Sequence, residues 1–381
     1  MSETKVISGA DGVANAAKLC KPKVLPMYPI TPSTLIPERL SEFVFNGELA
    51  AEMIHVESEH SAASALYGAY AAGVRSFTAT ASQGLALMHE ILPIISGARF
   101  PAVMVVANRA LAGPLNIWND HSDAISERDQ GWIQLYCETN QEAFDTTLMA
   151  YKIAENEKVL LPVMVCMDGF YLTHAYEPIT IEDQKKVDEF LPEYKPRNFL
   201  DTSSPKTFGA FAQPHNYMEF REEQEKAMQN ALKEIIKVND EFGKKFARKY
   251  GTGLVDEYMV HDSDYALLAM GSVCGTIRTV VDEMRKEGKK VGLIKLKSLR
   301  PLPIEDLKIL CKDIKILGII DRHASLGFGG ALTNDIKSAL NGEKVEVHGF
   351  VAGLGGRDID RKKIRLALET IIKGKEGFWL E

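Results

Sequence analysis

Residues able to do chemistry gather in one stretch of the chain. From His55 to Gly84 it reads HVESEHSAASALYGAYAAGVRSFTATASQG: two glutamates beside a histidine, then a run of mostly small residues. A helix of Ala, Ser and Gly brings little apolar volume, so its value lies in close approach to another backbone or to a ligand. Glu59 falls in its first turn, where the helix dipole favours a carboxylate. From that strand-to-helix junction it would also point into whatever sits there, and in open α/β sheets that is where ligands bind. Arg109 is the second candidate, just past the apolar run AVMVVA. A guanidinium at the end of a buried strand must find an anion, from a side chain or from a ligand carboxylate. Thr31, between Pro29 and Pro32 in YPITPST, is by itself only a turn residue.

Other motifs read as structure. LGFGG at 326–330 and GLGGRD from Gly353 to Asp358 lack the spaced dinucleotide fingerprint and read as turn and cap glycines. There is no P-loop and no G-x-S-x-G nucleophile elbow. His55, His60 and His121 show no metal-ligand spacing. Cys20, Cys137, Cys166, Cys274 and Cys311 form no CxxC pair, so neither zinc nor an iron–sulfur cluster is signalled, and they read as small core residues.

The elements that must position these residues alternate in type. At 381 residues, two domains are expected. Strands are predicted at 5–8, 24–28, 53–56, 75–81, 102–107 and 161–167, and helices at 10–19, 37–45, 85–97 and 141–155, with the small-residue helix after Glu59. That pattern implies a doubly wound α/β domain over residues 1–176. Residues 110–130 show no periodicity, as binding loops and lids often do not. A proline-studded connection over 177–216 precedes a long amphipathic helix from Tyr217 to Tyr250, and together they make a connecting segment over 177–255. A second α/β unit, 256–381, carries strands at 265–270, 291–297, 314–320 and 345–351 and helices at 276–285, 304–311 and 362–372, with another helix opened by LGFGG.

A net charge of −7 without a basic stripe excludes a general nucleic-acid binder. The polar start MSETKV is no secretory signal, and the longest apolar run, Val159 to Met167, is too short to span a bilayer. The expected location is the cytoplasm.

Taken together, VESEHSAASALYGAYAAG, FTATASQGLALMHEIL, VMVVANRAL, PLNIWNDHSD and VLLPVMVCMDGF stand in the order seen in 2-oxoacid:ferredoxin oxidoreductases; YPITPST upstream, and YALLAMGS with LIKLKSLRPLP downstream, extend the match over nearly the whole chain. The chain most resembles the α-type subunits of the multi-subunit pyruvate:ferredoxin oxidoreductases, with paralogues for branched-chain 2-oxoacids, 2-oxoglutarate and indolepyruvate sharing the fold. The resemblance implies a pyrimidine-binding-type thiamine diphosphate domain followed by a transketolase C-terminal-like domain. It implies that Glu59 activates the cofactor, that Pro29, Ile30 and Gln83 line it, and that Thr31 and Arg109 hold the 2-oxoacid. The diphosphate and magnesium motif and the cluster cysteines of the family are missing here. The cofactor would then be shared with a β subunit, with Mg2+ and [4Fe-4S] clusters on β, γ and δ-type partners, no metal on this chain, and coenzyme A and ferredoxin as co-substrate and electron acceptor. A paralogue acting on a larger 2-oxoacid and a non-catalytic assembly subunit are the alternatives.

Overall fold

Side-chain alternation along the strands sorts apolar residues into layers. Val103 and Val105 enter one core while Met104 and Val106 enter another, and the same holds for Val163 and Val165 against Met164 and Cys166. The computed structural model describes residues 2–377 and 379–381. In chain order the first elements are β1 (Glu3–Ser8), α1 (Gly9–Leu19), β2 (Val24–Met27), α2 (Leu35–Phe45), β3 (Glu52–His55), α3 (Glu59–Ala71), β4 (Phe77–Thr80), α4 (Ser82–Met88), α5 (Leu92–Gly97), β5 (Val103–Asn108), α6 (Ser122–Ser126), β6 (Ile133–Cys137), α7 (Asn140–Ala154) and β7 (Val163–Asp168). Strands β6, β7, β5 and β4 lie parallel in that order. The parallel pair β2–β3 continues the sheet through a bridge from Val24 to Ser76 and a hydrogen bond from Thr78 Oγ1 to the Pro26 carbonyl (2.8 Å). All six carboxyl ends therefore open on one edge.

Next come β8 (Tyr176–Ile181), α8 (Gln184–Phe190), α9 (Tyr217–Phe246), β9 (Val255–Tyr258), β10 (Tyr265–Ala269), α10 (Val273–Lys286), β11 (Val291–Leu296), β12 (Ser298–Arg300), α11 (Ile304–Cys311), β13 (Ile316–Asp321), β14 (Ala324–Ser325), β15 (Gly329–Gly330), α12 (Ala331–Ala339), β16 (Glu346–Val351) and α13 (Arg361–Ile372). The second sheet runs β16–β13–β10–β11–β9, parallel except for β9. Residues of both sheets, Met104, Tyr136 and Cys166 with Leu268, Ile294 and Ile319, belong to one continuous core. None of the described helices is long and apolar enough to cross a membrane.

Several sequence expectations need correction. The helix expected over 85–97 is two, because Pro93 opens α5 and cannot continue α4. Strand β6 was not anticipated: its alternate residues Gln134 and Tyr136 are polar, yet both are buried. The 177–216 connection carries α8 and most of β8, which pairs antiparallel with β1. The long helix stops at Phe246, where Ala247 turns left-handed (φ 57°), ahead of Gly251. Finally, β12 leaves the second half to pair with β6 of the first sheet.

A buried charge cluster joins the halves. Glu142, in the first turn of α7, meets Lys295 Nζ at 2.6 Å and Lys297 Nζ at 2.7 Å, and Lys297 also donates to Thr146 Oγ1 (2.8 Å). Burial alone would raise the Glu142 pKa; the two ammoniums outweigh it and draw the carboxyl down to about 2. Its stabilising contribution is thus fully present above pH 4.5 and is lost as pH falls through about 2. Glu142→Ala takes the carboxylate from buried Lys297 and leaves Lys295 with Glu138 alone (3.0 Å), and is expected to cost about 3–5 kcal/mol in urea unfolding at pH 7. The gap between wild type and variant should then shrink as the titration is repeated between pH 4.5 and 2; a gap that does not depend on pH would show that the carboxylate is not paired.

Candidate active site at the carboxyl edge of the first sheet

Each residue singled out in the sequence sits on a loop or helix start leaving this carboxyl edge. Ser58 caps α3 by accepting from the Ser61 N–H (3.3 Å), which places Glu59 as the first helical residue, 7% exposed. Its carboxylate is turned toward α4. A Cβ built on Gly84 would lie 2.6 Å from Glu59 Oε1 and 2.6 Å from Thr80 Oγ1, so only glycine leaves the acid room. Among the described residues none donates a hydrogen bond to the Glu59 carboxylate, and the buried Thr80 hydroxyl has no partner either. A carboxylate without a protein donor beside a buried hydroxyl without a partner is a place for a ligand that donates and accepts.

Arg109 follows β5 and is 7% exposed. Its guanidinium donates from Nη1 to the Thr31 carbonyl (2.9 Å) and from Nε to the Asn116 carbonyl (3.0 Å). No carboxylate of the described residues stands within ion-pair distance of it. The anion demanded by the sequence is therefore not supplied by a side chain. Burial lowers its pKa, opposed by the Asp123 charge, and it stays cationic. Thr31 is exposed, with Pro29 exposed and Ile30 half-buried in the same turn, which Ser33 closes by donating N–H and hydroxyl to the Ile30 carbonyl (2.8 and 2.7 Å). Gln83 is half-buried, its Oε1 2.6 Å from Ser82 Oγ.

One buried acid, not anticipated from the sequence, couples these pieces. Asp123, fully buried at the start of α6, accepts N–H from Ser82 and Arg109 on Oδ2 (both 2.9 Å), and from the Asn108 amide (2.8 Å) and its neighbour Ala124 (2.7 Å) on Oδ1. It ties the end of β4 to the end of β5, and so the Glu59–Gly84 contact to the Thr31–Arg109 contact. A second buried acid does the same between the two sheets: Asp168, ending β7, meets His121 Nε2 at 2.8 Å and Arg322 Nη1 at 2.7 Å, and accepts from the Ser272 N–H (2.9 Å) and hydroxyl. Burial pushes its pKa up, but Arg322, His121 and Ser272 prevail and hold it far below the usual carboxylate range. The signal that found Arg109, a polar residue closing a wholly apolar strand, would have found Asp168 too. No such signal marks Asp123.

Glu59, Gly84 and Thr80 suit the aminopyrimidine half of a thiamine cofactor, which presents both a protonatable ring nitrogen and an amine. Among the described residues, no group of three or more His, Cys, Asp or Glu could hold a metal ion. A separate cleft of about 430 Å³, lined in part by Lys23 and Arg75, lies at the amino ends of β2 and β4, and its arginine is already paired with Glu155 (2.6 Å).

Burial pushes the Asp123 pKa up to about 7, against the four N–H donors that pull it down. Because the folded value is raised, the stability this group contributes is fully present below pH 3.8 and is lost as pH rises through about 7. Wild type should therefore lose stability relative to Asp123→Asn between pH 4 and 7, by at most about 1.4 kcal/mol per pH unit. Urea titrations at pH 5 and 8 measure it; an equal difference at both would place the acid in a solvated setting.

Residues 15–240 match the family model described as pyruvate flavodoxin/ferredoxin oxidoreductase, thiamine diphosphate-binding, and residues 263–364 match pyruvate:ferredoxin oxidoreductase core domain II. The chain is 54% identical to the pyruvate synthase subunit PorA of Methanocaldococcus jannaschii, over 99% of this chain and 97% of that one. It is 44% identical to the ketoisovalerate oxidoreductase subunit VorA of Pyrococcus horikoshii, over 98% and 95%. Among solved structures it is similar to the 2-oxoglutarate:ferredoxin oxidoreductase of Magnetococcus marinus, solved with 2-oxoglutarate, coenzyme A and succinyl-CoA (TM-score 0.73, 19% identity, 97% of this chain and 65% of that one). A split-gene transketolase in an inactive β4 tetramer shares the fold at a TM-score of 0.53 and 11% identity, covering 98% of this chain and 100% of that one. With a doubly wound first half, a transketolase-like architecture and relatives matched from end to end, the chain belongs to the pyruvate:ferredoxin oxidoreductase family.

Proposed function

We propose that this chain is the α-type subunit of a pyruvate:ferredoxin oxidoreductase and supplies the pyrimidine-side half of a thiamine diphosphate site shared with a β-type subunit. The observation that carries this reading is a pair of largely buried side chains on one sheet edge that no described residue matches: a Glu59 carboxylate without a protein donor and an Arg109 guanidinium without a carboxylate partner. Bound thiamine diphosphate supplies the electron sink that lets a 2-oxoacid lose carbon dioxide. Glu59 holds the proton at N1′ of the aminopyrimidine, and shielding from water strengthens that shared-proton bond. Gly84 leaves the carboxylate space, and Thr80 offers a hydroxyl beside it. Pro29 and Ile30 present apolar surface to the ring, and Gln83 an amide. Arg109 pairs the substrate carboxylate and the Thr31 hydroxyl donates next to it.

Pyruvate is favoured over a branched 2-oxoacid by the higher identity to the pyruvate synthase subunit, 54% against 44%. Bulky Trp118, near the end of the loop that holds Arg109, agrees with a small substrate. The β-type partner would hold the diphosphate and Mg2+, and partner chains of β, γ and δ type would carry the [4Fe-4S] clusters that supply the electron path to ferredoxin. Coenzyme A takes the acetyl group, and the reverse direction fixes carbon dioxide into pyruvate. The complex works in the cytoplasm, and the chain alone is inactive.

In the assembled enzyme, Glu59→Gln should lower kcat roughly 10²-fold or more, the scale of lost acid–base catalysis. Ferredoxin-linked, coenzyme-A-dependent oxidation of a panel of 2-oxoacids reads it, and near-native turnover would remove Glu59 from the role. Arg109→Ala should raise the pyruvate KM roughly 10²-fold, the scale of a lost buried charge pair; unchanged kinetics would make the arginine structural.

A further inference from the structure

The GLGGRD motif near the end of the chain looks like turn glycine in the sequence, yet it packs on the loop that holds Arg109. Gly355 (φ 58°) and Gly356 (φ 81°) both lie in the left-handed region. A Cβ on Gly355 would stand 2.5 Å from the Asn116 amide nitrogen, and one on Gly356 would stand 2.4 Å from the Trp118 Cβ. The turn is therefore bare where the 113–120 loop presses on it.

Hydrogen bonds run both ways across this contact. Asn116 Nδ2 donates to the Gly355 carbonyl (3.1 Å), the Gly355 N–H to Asp120 Oδ2 (3.0 Å), and the Gly356 N–H to the Asn119 carbonyl (2.7 Å). Tyr171, following β7, donates its hydroxyl to the Gly356 carbonyl (3.1 Å). Within the loop, Asn116 Oδ1 accepts from the Trp118 N–H (2.7 Å), and the Trp118 carbonyl from the Ala110 N–H (3.0 Å). The Asn116 carbonyl in turn receives Arg109 Nε at 3.0 Å, while Arg109 Nη1 reaches the Thr31 carbonyl. Asn116 thus touches the second half of the chain with its side chain and the arginine with its backbone.

We infer that the Gly353–Gly356 turn of the second α/β unit is a positioning element for the 2-oxoacid, acting through Asn116 on Arg109. The inference rests on the reading that Arg109 binds the substrate carboxylate. Two of the guanidinium's donors go to carbonyls and the rest are left for the ligand, so the carbonyl at 116 fixes which way the free face points. A long side chain such as arginine, without a carboxylate of its own to anchor it, depends on such fixed acceptors for its orientation. Misplacement by about 1 Å can cost as much as 10²-fold in an oriented site.

The test uses the assembled enzyme with pyruvate, and coenzyme A as the internal control. Asn116→Ala removes the bond to Gly355, together with the one its amide oxygen accepts from the Trp118 N–H, without disturbing the left-handed turn. Gly356→Ala drives a methyl against Trp118, so a KM raised by both variants assigns the effect to the turn–loop contact they share. Each should raise the pyruvate KM roughly 10-fold, with kcat within about twofold and the coenzyme A KM unchanged. Combining Asn116→Ala with Arg109→Ala should add nothing to Arg109→Ala alone, because both act through one contact. If Gly356→Ala does not fold, Asn116→Ala and the double variant decide. An unchanged pyruvate KM in Asn116→Ala, where Arg109→Ala raises it, overturns the inference and leaves the substrate reading intact. An unchanged KM in Arg109→Ala removes that reading and the inference with it.

Discussion

A largely buried charge without a charged or donating partner is costly, and among the described residues two such side chains, Glu59 and Arg109, stand on the same sheet edge. A carboxylate or guanidinium withdrawn from water costs several kcal/mol unless something nearby restores what water gave. Arg109 recovers part of this through two carbonyls; Glu59 recovers nothing from the described side chains. Such an arrangement persists only if the surrounding fold is stable enough to hold it open. The remaining architecture can be understood as the support for that edge.

The support comes from satisfied polar groups next to the unsatisfied ones. Asp123 receives backbone N–H groups from two strand ends at once, and Asp168 receives an arginine and a serine from across the boundary between the sheets and a histidine from its own side. Lys295 of β11 and Lys297 just after it carry positive charge to the first turn of α7. Apolar burial joins the two sheets in a continuous core, but it is non-directional. These acids add direction, since a carboxylate with four N–H donors fits one arrangement of its neighbours.

Glu59 and Arg109 were legible because each interrupts a pattern: an acid opening a helix of small residues, a cation closing an apolar strand. The parallel strands β5 and β7 were legible for the same reason, being apolar on both faces. Strand β6 was not, because Gln134 and Tyr136 are buried polar residues whose environment comes from distant chain segments. The pairing of β8 with β1 joins residues more than 160 apart, and no local pattern records it. Asp123 sits in a stretch without periodicity, and its importance lies entirely in which N–H groups the tertiary fold brings to it. The glycines at 355 and 356 were visible as glycines, while the loop they accommodate was not.

The strand Ser298–Arg300 has a consequence for how the chain can be divided. It covers the outer side of Ile133–Cys137 in the first sheet while its flanking residues build the second. A fragment that ended at the connecting segment would leave the outer backbone N–H and C=O groups of β6 open along a strand that is otherwise buried, a template for pairing with other chains. The two halves are thus interlocked rather than strung in series, and neither is free to be exchanged as a module.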